Sequence, residues 1–168
     1  WTRGTGGAAG SGVGVTAAGV TAGIDLPNDW VYAHNEIVRS GAAWVGVSAQ
    51  TVGVNALKSA DATRYTKLVH PGDSYSYDIF TRAGRAVRNN PAVLGGLAPQ
   101  RVLAMGESQS ASRLVTYINA VHPLVNVYDG FLVHSRGASG SALSQSPLAA
   151  VPTPSPSLIR DDLSDPGF

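Results

Sequence analysis

Residues 101–118 read RVLAMGESQSASRLVTYI. A short apolar run, Val102–Met105, passes through Gly106-Glu107-Ser108-Gln109-Ser110 into a segment with Ala111, Leu114, Val115 and Ile118 at helical spacing. The pattern predicts a buried strand, a sharp turn and a helix. Such a junction lifts the side chain at its apex clear of the sheet, where a base and a substrate carbonyl can both reach it. Strand and helix crowd together at the turn, so the residues two before and two after the apex must be small. Gly106 and Ser110 meet that need, and Ala111 and Ser112 keep the start of the helix slim. The helix N-terminus brings backbone N–H groups and the positive end of a dipole beside the apex. Ser108 is therefore the candidate nucleophile, and the Gln109 N–H is the first candidate donor to an oxyanion. The alternative for a serine in such a place is a helix N-cap, which Ser110 or Ser112 fits better than Ser108.

Outward from this junction the chain alternates. Asn28–Ser40 predicts a helix, with Asn28 as N-cap, Asp29 in the first turn, Gly41 as terminator, and Trp30, Ala33, His34, Ile37 and Val38 on one face. Ala43–Ser48 is a short apolar run that suits a strand buried on both faces of a parallel sheet. A polar stretch follows to Gly72. Asp73–Arg88 predicts a second helix with Ile79, Phe80, Ala83 and Val87 on one face, stopped by Asn89, Asn90 and Pro91. Ser110–Val121 is the third helix and Gly130–His134 another buried strand. A further strand is placed near Val13–Thr16, though Gly12, Gly14 and Gly19 thin it. The sum is an α/β fold, a doubly wound and mostly parallel sheet. Ser135–Ser157 breaks the alternation: rich in Ser, Pro, Gly and Ala, it is expected to be a loop, a lid segment or an insertion within one partial domain spanning residues 1–168.

Composition narrows the function classes. The 168 residues are 43% hydrophobic and 14% charged, enough apolar material for a core. Twelve basic and eleven acidic residues leave a net charge of +1, with no basic patch to suggest nucleic acid or an anionic membrane. The absence of cysteine removes disulfides, thiolate metal sites and a cysteine nucleophile, and leaves the compartment open. No apolar run approaches the roughly 20 residues of a membrane helix. The chain starts at Trp1 and shows no signal peptide.

The segments GIDLPNDWVYAHNEIVRSGAAWVGVSAQTVGV (23–54), HPGDSYSYDIF (70–80), RVLAMGESQSASRLVTYINAVHP (101–123) and YDGFLVHSRG (128–137) together resemble a bacterial α/β-hydrolase-domain family. The resemblance runs from Ala22 to Gly137, about two thirds of the chain. It implies an α/β-hydrolase fold, an esterase-like acyl hydrolase acting on a small-molecule ester without a cofactor, and a longer full-length protein continuing past Phe168. The Val20–Asp25 loop matches the family's loop after its first core strand, which implies that Thr21 and Ala22 are candidates for the second oxyanion N–H.

A serine hydrolase also needs a histidine base and an acid to orient it, following the serine in the order acid, then histidine. Downstream of Ser108 stand His122, at a helix end before Pro123, and His134, at the carboxyl edge of a strand where ligands bind in open α/β sheets. His134 is a candidate to lie near substrate but comes too early in the chain to be the usual base. Upstream, His34 is expected in the core, and His70 with Asp73 is too few ligands for a metal site. Asp129 stands at the far end of its strand, and Asp161, Asp162 and Asp165 precede the next expected strand. The acid and base are accordingly expected beyond Phe168. Two other readings remain: a catalytically inactive domain of the same fold, and a dinucleotide-binding oxidoreductase. The latter rests on Gly4–Ala9 and Gly12–Ala17, which fit G-x-G-x-x-A without the strand and helix that motif requires.

Overall fold

The computed structural model describes residues 28–160. The strand expected at Val13–Thr16, the two glycine motifs, the Thr21–Ala22 loop and Asp161, Asp162 and Asp165 lie outside them. The chain divides into two compact units, Trp1–Gly72 and Asp73–Phe168.

In the first unit, helix α1 spans Asn28–Arg39. Gly41, at φ +77°, ends it as expected. The Ala42 N–H reaches back to Ile37 O (3.1 Å) and the Gly41 N–H to Val38 O (3.0 Å), a Schellman closure that a residue with a Cβ would strain. The expected apolar face is only partly covered: Trp30, Ala33 and Ile37 are half-buried, but His34 is exposed, against the core placement predicted for it, and Val38 is 63% exposed. The strand expected at Ala43–Ser48 does not form. Val47 alone makes a bridge pairing, and Ala43 and Gly46 are exposed. An apolar run becomes a strand only where a neighbour takes its backbone groups along the whole length. The stretch read as polar to Gly72 holds two helices instead: α2, Thr51–Ala60, which buries Val54 and Leu57, and α3, Ala62–Tyr65, capped by Asp61 Oδ1 on the Arg64 N–H (3.0 Å). With Gly53 in its first turn and two fully buried apolar side chains, α2 leaves a faint helical pattern.

In the second unit a 3₁₀ turn, Asp73–Tyr75, leads into α4, Ser76–Asn89. Its buried face is Tyr77, Phe80, Thr81 and Gly84, rotated from the expected face; of that set only Phe80 is fully buried. Asn90 caps a second 3₁₀ turn, Pro91–Leu94, through Ala92 N–H (3.2 Å). Strand β1, Leu103–Glu107, pairs in parallel with β2, Gly130–His134, in the register Leu103↔Gly130 to Glu107↔His134. Between them run α5, Gln109–Thr116, a π-helical turn, Tyr117–Val121, and α6, His122–Val125. The uniform helix expected to Val121 thus widens in its last turn. Pro123 contributes there, since it has no N–H to give to the carbonyl one turn back. Parallel pairing with a helical crossover is the α/β arrangement.

The core of this unit is aromatic. Phe80 stacks on Tyr128 (4.8 Å) and meets Tyr117 edge-on (5.4 Å), and Phe131 closes on Tyr128 at 6.0 Å. The hydroxyls are satisfied inside: Tyr128 donates to Phe80 O (2.7 Å), and Tyr117 OH lies 3.0 Å from Thr81 Oγ1. Burial, helped by neighbouring Tyr117, pushes the Tyr128 phenol far above its usual range, so it remains a neutral donor. Gly84 is where the tyrosine ring crosses α4: a Cβ there would stand 2.6 Å from Tyr128 Cζ and from Val127 Cγ1.

Asp129 is a structural acid. Its Oδ2 accepts from the Val102 N–H (2.6 Å) and from Arg88 Nη2 (2.5 Å), tying the entry of β1 to α4. Partial burial raises its pKa, but the Val102 N–H and the Arg88 bond and charge outweigh it, with Arg101 adding to them, and hold the carboxyl below its usual value. Segment 135–157 has neither helix nor strand, only the bridge Ser144↔Val151. It is fastened down by its backbone. Ser141 N–H donates to Ser112 O (3.0 Å), Thr116 Oγ1 to Ser141 O (2.6 Å), Tyr77 OH to Ala142 O (2.9 Å), and Gln145 N–H to Ser74 Oγ (2.8 Å).

Two outcomes follow for stability. Gly84→Ala should lower the urea midpoint by an amount corresponding to about 1–3 kcal/mol of overpacking, while Gly137→Ala, with nothing within 4 Å of its Cβ, should leave it within about 0.5 kcal/mol. Asp129→Asn should lower the midpoint at pH 7. A carboxylate whose folded pKa is depressed stabilises above its unfolded pKa and loses that stabilisation as pH falls through the folded one. The gap between variant and parent should therefore close as denaturation is followed from about pH 5 down to about pH 2.

Candidate active site

β1 ends at Glu107 and α5 begins at Gln109, so a single residue, Ser108, makes the turn. Its backbone sits at φ 53°, ψ −114°, a conformation that side chains with a Cβ rarely adopt and that persists only where the surroundings enforce it. The enforcing contacts are on both sides. The Ser108 N–H donates to His134 O (3.2 Å), extending the β1–β2 ladder by one bond, and Ser108 O accepts the Ser112 N–H (3.1 Å), the first bond of α5. Gly106 lies directly under the helix: a Cβ there would stand 2.8 Å from Ser110 O and 3.1 Å from Ala111 N. Gly106 and Ser110 are both buried, as the predicted crowding requires, and Ser108 itself is exposed.

The N-cap position of α5 belongs to Ser108, not to Ser110 or Ser112 as the capping alternative would have it. Ser108 nonetheless makes no side-chain capping bond. A serine that caps by its backbone alone keeps its hydroxyl available for other work. Gln109 is the first residue of α5 and is exposed, with no acidic residue in the first turn.

The histidines fall in different places. His134 ends β2 opposite Glu107 in the ladder, half-buried, with its carbonyl on the Ser108 N–H. Its ring Nδ1 lies 3.4 Å from Ser135 Oγ. His122, read as a helix-terminal residue, opens α6 and turns its ring edge-on to Phe131 (4.8 Å). Its Nδ1 is buried without a partner, and burial lowers its pKa, keeping it neutral. In the first unit, His70 is committed on both nitrogens: Nε2 donates to Ala49 O (3.0 Å), and Nδ1 accepts the Gly72 N–H (3.1 Å) beside Thr51 Oγ1 (3.0 Å). Among the described residues no histidine ring or carboxylate hydrogen-bonds Ser108 Oγ, and no group of three or more metal-ligating side chains forms.

A family model described as alpha/beta hydrolase domain matches residues 7–168. The chain belongs to this alpha/beta hydrolase domain family. No curated protein and no solved structure gives a significant match. The parallel β1–β2 pair with its helical crossover through α5 is consistent with an alpha/beta fold.

Two residues of this hydrolase domain escaped the sequence reading. Arg113 is 6% exposed, its guanidinium on Ser76 Oγ (2.5 Å), 3.6 Å from Asp73 Oδ2 and over the Tyr77 ring. An arginine between apolar positions gives no sign of burial. Ser135, at φ 54°, leaves β2 as Ser108 leaves β1. Nothing in a Ser-Arg-Gly sequence marks a left-handed serine.

Gly106→Ala should distort the turn, because the obstructing atoms are backbone and cannot swing aside. The expected result is a loss of stability of about 1–3 kcal/mol in urea denaturation, together with loss of any chemistry at Ser108. An unchanged midpoint would mean that strand and helix are not locked at this glycine.

Proposed function

We propose that this domain is a serine hydrolase in which Ser108 takes the acyl group of a small-molecule ester and passes it to water. The supporting observation is the strained, exposed Ser108 between β1 and α5, over a glycine that admits no side chain. The reaction has two halves. A base takes the Ser108 hydroxyl proton as Oγ bonds the ester carbonyl carbon. The carbonyl electrons move to oxygen, where the Gln109 N–H is the first donor to receive them. The tetrahedral species then expels the alcohol, which takes the proton. Water repeats the sequence and releases the acid. Each oxyanion donor contributes about 3 kcal/mol to such a step.

On this reading a histidine base and an acid that orients it act on Ser108, and among the described residues no histidine ring or carboxylate hydrogen-bonds its Oγ. The same proposal makes β1 and β2 neighbours within a larger, doubly wound parallel sheet of the hydrolase fold. An inactive domain of this fold would share the turn at Ser108, since the close packing of β1 and α5 enforces it, and labelling and turnover separate the two readings.

The test is labelling of the intact protein by a fluorophosphonate probe, alongside turnover of a short-chain p-nitrophenyl ester. Ser108→Ala is expected to abolish both, a fall of about 10³-fold or more in turnover. Ser110→Ala should keep the label. The opposite ranking would move the nucleophile to Ser110, and labelling of neither parent nor variant would leave a non-catalytic domain.

A further inference from the structure

β1 and β2 end level with each other, and each ends in a serine turned into the left-handed region: Ser108 at φ 53° after Glu107, Ser135 at φ 54° after His134. Neighbouring strands lie about 4.8 Å apart, and here the Ser108 N–H still bonds His134 O across the gap (3.2 Å). The two serines therefore leave the sheet one strand spacing apart, at the carboxyl edge where ligands of open α/β sheets bind.

The strain at Ser135 has no local explanation. Left-handed backbone costs a residue with a Cβ roughly 1–2 kcal/mol relative to glycine. Asn126, the other described residue of positive φ outside glycine, is of a type that tolerates the region. Serine does so less readily, and glycine would turn the chain here without strain. The Ser135 side chain gives back little: it is exposed, and its one hydrogen bond among the described residues is the long 3.4 Å contact to His134 Nδ1. The chain beyond is held in place, with Arg136 Nη1 donating to Ser157 O (2.9 Å) and Ser157 N–H to Ala138 O (2.8 Å). A held, strained and exposed hydroxyl beside the nucleophile is placed for contact with something outside the fold. Its surroundings at this edge are polar as well, with Glu107, His134 and Ser135 together, while the exposed apolar side chains of the two strands, Leu103 and Leu132, lie lower on the sheet.

We propose that Ser135 contacts the substrate, its hydroxyl hydrogen-bonding a polar substituent on the acyl chain of the ester held at Ser108, so that the domain prefers hydroxyacyl esters to plain ones. This rests on Ser108 being the nucleophile. The strand spacing sets the reach: an oxygen on the second or third carbon of the acyl chain can bridge about 4.8 Å to the neighbouring strand, whereas a plain acyl chain would leave the Ser135 hydroxyl facing carbon.

The experiment measures kcat/KM of the intact protein for p-nitrophenyl 3-hydroxybutyrate and p-nitrophenyl butyrate, in the parent, Ser135→Ala and Ser135→Gly. One hydrogen bond to substrate corresponds to a preference of roughly tenfold. The parent should favour the hydroxy ester by about that factor, and both variants should lose the preference, because both lose the hydroxyl. Ser135→Gly also relieves the strained backbone and Ser135→Ala keeps it, so the pair separates hydroxyl from conformation. A preference retained in Ser135→Gly, or absent from the parent, would overturn the proposal. Fluorophosphonate labelling is read in the same samples. Label that survives Ser108→Ala defeats the nucleophile reading, and this inference with it. Label lost in Ser108→Ala, with an ester ratio that Ser135 does not move, defeats the inference alone.

Discussion

The space under Ser110 is the constraint on which the site depends. β1 and α5 approach so closely that Gly106 can carry no side chain, a Cβ there standing 2.8 Å from the Ser110 carbonyl. With strand and helix that near, one residue must reverse the chain between them, and only a left-handed backbone does so in that distance. Ser108 carries the strain and is exposed at the apex of the turn.

What holds the turn in place is distributed around it. On the strand side the His134 carbonyl takes the Ser108 N–H. On the helix side Thr116 and Ser112 are bonded to Ser141 of the serine-rich segment, and Arg113 is sunk against Ser76 and Tyr77 at the start of α4. Beneath these, Phe80, Tyr117, Tyr128 and Phe131 fill the space between α4, the π-turn and β2. Each buried aromatic ring contributes roughly 1.5–3 kcal/mol, so the strain at two serines is a small charge on a well-packed unit. The 135–157 segment, irregular as it is, belongs to this support, its backbone bonded partly to α4, α5 and the turn before α4 and partly within the segment itself.

The electrostatics separate groups that the sequence lists side by side. Asp129 and His134 flank one five-residue strand. The first is consumed at its amino end by Arg88 and the Val102 N–H, while the second stands at the carboxyl end beside Ser108. His122 and His70 are likewise set by packing, one against Phe131 and the other by backbone hydrogen bonds on both nitrogens. Position along a parallel strand decides which titratable groups can meet a ligand.

By itself the sequence determined the elements whose signals are local. Gly41 stops α1 because only glycine turns left-handed there without strain. Gly130–His134 is a strand because the apolar run Phe131, Leu132 and Val133 is bounded by turn residues. Gly106-Glu107-Ser108-Gln109-Ser110 is a sharp turn because small residues flank a serine between two apolar patterns. Tertiary structure decided what depends on partners far along the chain. Ala43–Ser48 looks like a strand and is not one, since a strand needs a neighbour along its length. Thr51–Ala60 looks polar and is a helix, since burial of Val54 and Leu57 outweighs a weak propensity. Arg113 is buried because Ser76, Asp73 and Tyr77 surround it from α4 and the turn before it, and Ser135 stands beside Ser108 only because two strands with 22 residues between them pair in parallel and in register.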